Sequence, residues 1–338
     1  MRSDLAFWLA FAGLYVLVFT IDMFVTSSRK GELGPKTALG WTGLWIGVAL
    51  LYGLAIFLFY PQDPGHVERT ATVMSLKYLA GYFTEYSLSI DNLFVFIMIF
   101  TLMGVSAKSQ PRLLKLGILL SIVLRVLFIL VGMGLVEAFH WLLYVFGGIL
   151  LWTAYKMAFS GDDERVDPES NALYKAASRL FGVDPDPDPS RFFTRRSGKF
   201  HITKLFLVFL VIGSTDVLFA LDSIPAIIGV VKEGGSLLTG AEEDFIAVTS
   251  NVFAVMGLAS LFFALRGLLG KFRYLQHGVS LILAFIGAKM ILTSVPSVSR
   301  FFEHNAWLSL AVIAAAIGGS ILLSLLVAEN KAEDVEGA

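Results

Sequence analysis

Residues 85–92 read EYSLSIDN, and residues 216–223 read DVLFALDS. Both stretches place an acid, five residues, an Asp and a small polar side chain inside a long apolar run. A carboxylate at the centre of a bilayer costs about 2.5–3.5 kcal/mol on insertion scales, so such acids are functional candidates by default. Two matching pairs at identical spacing favour an internal repeat over chance similarity.

The apolar runs around these stretches are long enough to cross a membrane. The chain of 338 residues is 56% hydrophobic and 16% charged, whereas soluble domains have roughly 25% charged residues. Nine runs approach or exceed the length of a transmembrane helix. Their predicted limits are 5–25, 38–60, 75–103, 113–136, 141–159, 204–232, 244–265, 277–294 and 306–327. The sequence therefore predicts an all-α, polytopic protein with about nine transmembrane helices in a single transmembrane domain.

The repeat unit is three helices, with the first copy at 75–159 and the second at 204–294. Two N-terminal helices at 5–60 precede the repeats, and a last helix at 306–327 follows them. Because three is odd, the two copies must cross the membrane with opposite polarity. Inverted repeats of this kind recur in secondary transporters, whose binding sites lie near the midplane where the halves meet.

Two segments, the first apolar run and the longest polar connection, each allow a second interpretation. The run 5–25 is longer than the apolar region of a signal peptide, about 7–15 residues, and we interpret it as a span rather than a cleaved signal. The connection 160–203 holds the run DPDPDP at 184–189, which cannot form a helix. Residues 169–182 could form a short helix. We interpret this connection as a solvated linker, with metal capture by its acids as the alternative.

The distribution of Lys and Arg predicts the orientation. One side of the predicted topology, which includes the connection 160–203, holds 19 of these residues, and the opposite side holds 5. Positively charged loops favour the cytoplasm. The sequence thus predicts an external N-terminus and a cytoplasmic C-terminus.

Five acids lie inside the predicted spans, away from their first and last residues, and their geometry suggests two layers. They are Asp22, Glu85, Asp91, Asp216 and Asp222. Glu85 and Asn92, seven residues apart, share a helix face, while Asp91 lies roughly 120° away. Since the repeats are inverted, Glu85 should share a level with Asp222, and Asp91 should share one with Asp216. The layers could form one elongated site or two successive stations.

Neighbouring residues refine this site. Pro225 cannot donate to the carbonyl of Leu221, which predicts a loosened helix beside Asp222 and a free carbonyl ligand. Arg125, inside the fourth span, is expected to pair with one of the acids rather than to transport directly. Asp22 either lines an inner vestibule or caps a helix.

The donor atoms in the spans indicate the class of ligand. Carboxylates, the Asn92 amide and the Ser223 hydroxyl are hard oxygen donors, which favour Mg²⁺, Ca²⁺ or Mn²⁺. The chain has no cysteine, and its five histidines fall in predicted loops or helix ends, so a site for Zn²⁺ or Cu⁺ is difficult to build. The net charge of -1 gives no indication of a nucleic-acid partner. The sequence shows no nucleophile–base pair, HExxH motif or phosphate loop, the patterns that would indicate an enzyme.

Residues 85–96, EYSLSIDNLFVF, and 216–226, DVLFALDSIPA, resemble the paired signatures of the TerC/Alx family. Three other places in the chain fit the same family pattern: Asp22 near the N-terminus, residues 249–254 and residues 285–290. The resemblance implies a bacterial inner-membrane protein with a transporter fold related to the LysE superfamily. It also implies a link to manganese export and, historically, to tellurium resistance.

The resemblance assigns site residues by position. The metal-binding and translocation set would be Glu85, Asp91, Asn92, Asp216, Asp222 and Ser223. The family usually has a Glu three residues before the first Asp of the second signature, and here Gly213 stands there. Thr203 is followed by Lys204, where Pro is usual. The missing carboxylate leaves the choice of cation and the coupling open.

Our leading hypothesis is export of Mn²⁺ by alternating access around the intramembrane acids, with exchange for protons as the natural coupling. Ca²⁺ is the alternative cargo. The cation is the transported substrate, so we predict no permanently bound cofactor, and the sequence identifies no protein partner. The other class of function is a membrane scaffold for a metal- or tellurite-stress complex, in which the acids would be structural.

Overall fold

The computed structural model describes residues 2–28, 34–60, 71–106, 109–159, 171–184, 191–196, 199–232, 238–266, 274–292 and 295–336. The side chains of Asp22, Asp91 and Asp222, three predicted site residues, lie outside the described part of the structure. The described residues form twelve helices and three short strands. The helices are α1 (Arg2–Ser28), α2 (Pro35–Phe59), α3 (Ala71–Leu102), α4 (Gln110–Ala138), α5 (Leu142–Phe159), α6 (Ala172–Leu180), α7 (Lys204–Val231), α8 (Gly240–Val255), α9 (Leu258–Arg266), α10 (Leu275–Leu292), α11 (Pro296–His304) and α12 (Ala306–Glu336).

Within the described residues, six helical segments are long and apolar enough to cross a membrane. They lie in α2, α3, α4, α5, the combined segment 240–265 of α8 and α9, and α12. The predicted all-α, polytopic membrane architecture is therefore confirmed at this level. The other three predicted spans correspond to α1, α7 and α10, which are helical too.

The break in the transmembrane helices lies elsewhere than the sequence suggested. Pro225 predicted a loosened backbone in the predicted span 204–232, and α7 continues through this residue as one helix. The free carbonyl beside Asp222 stays a prediction. The predicted span 244–265 is the one that divides, at Gly257, whose φ is +81°. A Cβ on Gly257 would lie 2.6 Å from Cδ1 of Trp45, so α2 packs directly against the turn. The positive φ and this close contact both require glycine.

Each of the principal helix packings joins one helix of the first predicted repeat to one helix of the second. The most extensive contacts join α5 to α10, α4 to α7, and α3 to α8. Helices α5 and α10 cross where Gly147 meets Gly287, close enough that a Cβ on Gly147 would lie 3.0 Å from the Gly287 carbonyl oxygen. Glycine permits this backbone approach in a membrane, where helix association depends on close packing rather than on the hydrophobic effect.

The connection between the predicted repeats contains more structure than we expected. The possible short helix at 169–182 is observed as α6, which Asn171 caps by accepting from the backbone N–H of Leu173 at 3.0 Å. Three strands follow, β1 (Gly182–Val183), β2 (Phe193–Arg196) and β3 (Lys199–Ile202), in the sheet order β1-β3-β2. Most of the described residues of this connection are exposed, and its small sheet leads directly into α7. The interpretation as a solvated linker stays a prediction.

Candidate functional site

Glu85 lies in the middle of α3 and is buried, with 1% of its surface exposed. Its Oε2 accepts a hydrogen bond from Nδ2 of Asn251 in α8 at 2.8 Å, and its Oε1 accepts one from Ser89 at 3.1 Å. Arg125 of α4 forms an ion pair with the same carboxylate. Three helices therefore converge on Glu85, and both of its oxygens have partners.

Arg125 is the centre of the polar cluster. Its side chain is buried, although it carries a permanent charge. Its Nε donates to Oγ of Ser121, one turn earlier in α4, at 3.2 Å. With the amide of Asn92 oriented to suit its neighbours, the Asn92 oxygen accepts from Nη2 of Arg125 at 3.0 Å, and its nitrogen donates to the carbonyl of Leu88 at 3.1 Å. Arg125 thus contacts Glu85 and Asn92, the two residues of α3 predicted to share a face.

Asp216 of α7 approaches the cluster from the other predicted repeat. It interacts electrostatically with Arg125 and accepts a hydrogen bond from the Ser121 hydroxyl. Ser121 therefore lies between a guanidinium that donates to it and a carboxylate that accepts from it. The second carboxylate oxygen of Asp216, Oδ2, is buried without a hydrogen-bond partner among the described residues. Oδ1 of Asn251 is likewise buried without a hydrogen-bond partner among the described residues, so each of these two residues offers a free acceptor at the site.

The register between α3 and α7 defines two levels. Nζ of Lys77 donates to the carbonyl oxygen of Val231 at 2.5 Å, and a Cβ on Gly81 would lie 2.8 Å from Cδ1 of Ile227. Because the helices are antiparallel with equal rise per residue, Glu85 falls at the level of Ser223. Asn92 falls at the level of Asp216 in the same way. These levels correspond to the two predicted acidic layers.

We call the two levels the Glu85 layer (Glu85, Ser89 and Asn251) and the Asp216 layer (Asn92, Ser121 and Asp216). Arg125 joins them. Of the predicted site residues, Glu85, Asn92, Asp216 and Arg125 are brought together. Ser223 is buried but donates to the carbonyl of Ala220 in its own helix at 3.2 Å. Among the described side chains, no three His, Asp or Glu residues lie close enough to hold a metal ion.

Three members of the cluster were not assigned from the sequence. Ser121 and Ser89 are small hydroxyl residues in apolar helices, four residues from Arg125 and Glu85 respectively, and that spacing is the signal that could have identified them. Asn251 lies in the stretch TSNVFA at 249–254, and it is a polar amide in the most buried of the spans.

Gly213 occupies the position where the resemblance led us to expect a carboxylate. It is buried in α7, and an added Cβ would lie 2.9 Å from Cδ2 of Leu120 in α4. A longer side chain here would require Leu120 to move. One turn from Asp216, the Leu120 side chain of α4 therefore packs against α7 in the space that an acidic side chain at position 213 would need.

Comparison with known proteins agrees with the resemblance. Residues 70–332 match the family described as Integral membrane protein TerC family. An uncharacterized membrane protein of Myxococcus xanthus is 37% identical over 94% of this chain and 92% of its own length. Alx of Escherichia coli (strain K12), provisionally named a membrane-bound redox modulator, is 33% identical over 95% of this chain and 93% of its own.

A plant relative extends the comparison beyond bacteria. The chloroplastic thylakoid membrane protein TERC of Arabidopsis thaliana is 33% identical over 93% of this chain and 74% of its own length. No solved structure matches the chain. The family match covers most of the chain, including α3, α4, α7 and α8, which form the polar cluster. The chain therefore belongs to the TerC family of integral membrane proteins.

Proposed function

We propose that this protein transports a hard divalent cation across the membrane, and that the physiological process is export of Mn²⁺. The observation that carries the proposal is that two buried carboxylates, Glu85 and Asp216, from different helices of a membrane protein share one arginine, Arg125. Arg125 can neutralise only one of these charges. Among the described residues, one buried oxygen of Asp216 has no hydrogen-bond partner, and such an atom is costly unless it has a function.

The chemistry of the available donors favours a hard cation. Carboxylate, amide and hydroxyl oxygens from Glu85, Asn92, Asp216 and Ser121 suit Mn²⁺, Ca²⁺ and Mg²⁺. The chain provides no cysteine thiolate. We extend the cargo site to Asp91, Asp222 and Ser223, with Asp22 along the inner approach. Ca²⁺ is the alternative cargo with the same donor preference.

The helix packing supports an alternating-access mechanism. If α3–α5 and α7–α10 are inverted repeats, a two-fold axis in the membrane plane exchanges α4 with the α8–α9 pair. The same axis exchanges α3 with α7, so the α4–α7 packing should have its counterpart in the α3–α8 packing. These are two of the most extensive interfaces, and the third, α5–α10, is its own counterpart. Rocking of one half against the other would open the acidic centre to each side in turn.

The remaining parts of the proposal concern topology and coupling. We place the protein in the bacterial inner membrane with nine spans, an external N-terminus and a cytoplasmic C-terminus, in accordance with the 19 to 5 distribution of Lys and Arg. Exchange for protons would follow if carboxylates that release the cation are protonated before the return step.

A scaffold function is the second candidate, and the Glu85 layer favours it. Glu85 has an ionic partner and two hydrogen bonds, which is how a structural acid is satisfied. A scaffold for a metal- or tellurite-stress complex would need no cargo site. The provisional name of Alx suggests redox modulation instead. Because this chain has no cysteine, a thiol–disulfide activity would have to use thiols of a partner.

The test is intracellular manganese in an efflux-deficient bacterium under manganese stress. We expect the wild-type chain to lower cellular Mn severalfold, and Asp216→Asn to abolish that effect because it removes the charge that holds the cation. The matched control is Glu242→Gln, which removes a partly buried acid from the α8 capping box, outside the cluster. Asp91→Asn and Asp222→Asn should behave like Asp216→Asn.

The outcome separates the two candidates if membrane abundance is measured for every variant. A wild-type chain that leaves cellular Mn unchanged contradicts the export proposal. Retention of export by Asp216→Asn would show that the carboxylate is not part of the cargo site. A scaffold predicts that stress resistance survives neutralisation of Asp91 and Asp222, whereas a transporter predicts that resistance is lost together with export.

A further inference from the structure

Arg125 contacts the same groups that a transported cation would need. It forms an ion pair with Glu85 and donates from Nη2 to the Asn92 oxygen at 3.0 Å. It also interacts electrostatically with Asp216. Glu85, Asn92 and Asp216 all belong to the predicted metal-binding set, and the described side chains of all three lie in the cluster. The guanidinium therefore occupies the position between the two layers, where a cation bound by both would lie.

The charges of the described side chains make simultaneous occupancy unfavourable. Glu85 and Asp216 provide two negative charges, and Arg125 provides a positive charge that it cannot lose by deprotonation. A divalent cation added beside Arg125 would leave a net positive charge in a region of low dielectric constant. If the guanidinium withdraws from the carboxylates, the same cation is balanced by Glu85 and Asp216.

Resting on the proposed transport function, we infer that Arg125 is a tethered counter-cation that competes with the cargo for Glu85, Asn92 and Asp216. When cargo is absent, Arg125 balances one of the two carboxylate charges, which lowers the cost of moving the empty site between its two access states. When cargo binds, the guanidinium is displaced from Glu85. Its hydrogen bond to Ser121 is internal to α4, so Nε can keep a partner while the Nη groups leave.

Competition and structural support predict opposite effects on cation affinity. A merely structural Arg125 holds Glu85 in place, so its removal should weaken binding or have no effect on it. A tethered competitor lowers the apparent affinity, so its removal should strengthen binding. The same removal should slow net transport, because the empty carrier then has unbalanced carboxylates and the cargo is released more slowly.

The experiment measures equilibrium binding of ⁵⁴Mn²⁺ to the purified full-length protein in detergent, for the wild type, Arg125→Gln and Arg125→Lys. We expect Arg125→Gln to bind Mn²⁺ at least tenfold more tightly while transport in vesicles falls at least fivefold. Arg125→Lys keeps the charge but loses the planar fork of donors, so its affinity should lie between the other two.

Each outcome decides between explanations. Equal or weaker Mn²⁺ binding by Arg125→Gln, with a monodisperse protein and unchanged helix content, overturns the inference and leaves the transport proposal intact. If Arg125→Gln does not fold, Arg125→Lys decides, because only a weakened competitor predicts tighter binding than the wild type. A wild-type protein that binds no Mn²⁺ and transports none overturns both proposals.

Discussion

The two layers of the cluster differ in how completely their carboxylates are satisfied. In the Glu85 layer, both oxygens of the acid have hydrogen-bond donors, and an arginine balances its charge. In the Asp216 layer, one oxygen of the acid is shared with Ser121 and the other has no hydrogen-bond partner among the described residues. The two acids are equally buried, each at most 2% exposed, but their carboxylates have unequal numbers of hydrogen-bond partners.

This difference indicates a division of roles. A fully paired acid fixes the positions of α3, α4 and α8 relative to one another. A partly paired acid retains a free acceptor, which is what a transient cation needs. Under the proposed transport function, we therefore expect Glu85 to hold the helices together and Asp216 to exchange its partner.

The largest expected effect on stability comes from the Glu85 layer. Glu85→Gln should lower the free energy of unfolding by about 3 kcal/mol, because it leaves Arg125 charged and incompletely paired in the membrane. The matched variant Asp216→Asn should change stability by less than about 1 kcal/mol. Both values can be measured by reversible unfolding in mixed micelles. Equal losses for the two variants would remove the distinction between the layers.

A smaller effect is expected where α5 crosses α10, away from the charges. Gly147→Ala should destabilise by about 1–3 kcal/mol, because the added Cβ would meet the rigid backbone of Gly287 as well as Ile291. Gly148→Ala is the control. It has nothing within 4 Å of the added atom and should gain up to about 1 kcal/mol from helix propensity. Similar behaviour of the two variants in an unfolding titration would contradict the observed crossing.

The smallest effect concerns one hydrogen bond to Glu85. Asn251→Ala should cost about 1.5 kcal/mol, the range for a hydrogen bond to a charged group. Ser250→Ala, its neighbour, loses a 3.4 Å hydrogen bond to a carbonyl of its own helix and the packing of one hydroxyl near Gly81, and should cost less than about 0.5 kcal/mol. A double variant with Glu85→Gln measures the coupling between Asn251 and Glu85. Strict additivity would mean that this hydrogen bond contributes nothing.

Much of the fold could be predicted from local patterns. Long apolar runs are sufficient to predict membrane helices, because every backbone polar group in lipid must be satisfied within the segment. The i, i+7 relation of Glu85 and Asn92 follows from helical periodicity, and Arg125 does contact both. The family was also identified correctly from the two acidic signatures.

The errors occurred where tertiary contacts override local signals. Pro225 is a strong helix breaker, yet α7 continues through it. The next span is interrupted at Gly257, which has a positive φ and packs closely against Trp45. The strands at 182–202 are only two to four residues long and lack a readable period. Asn251 could not be linked to Glu85 from the sequence, because that pairing depends on how α3 and α8 cross.

The central claim is that Asp216 takes part in binding and moving a hard divalent cation. Its most direct test is the initial rate of Mn²⁺ uptake into vesicles reconstituted with the wild-type protein or with Asp216→Asn. We predict saturable uptake by the wild type, competed by excess Ca²⁺, and uptake by Asp216→Asn no faster than in protein-free vesicles. Uptake by Asp216→Asn at the wild-type rate, or a wild-type rate equal to that of protein-free vesicles, would contradict the claim.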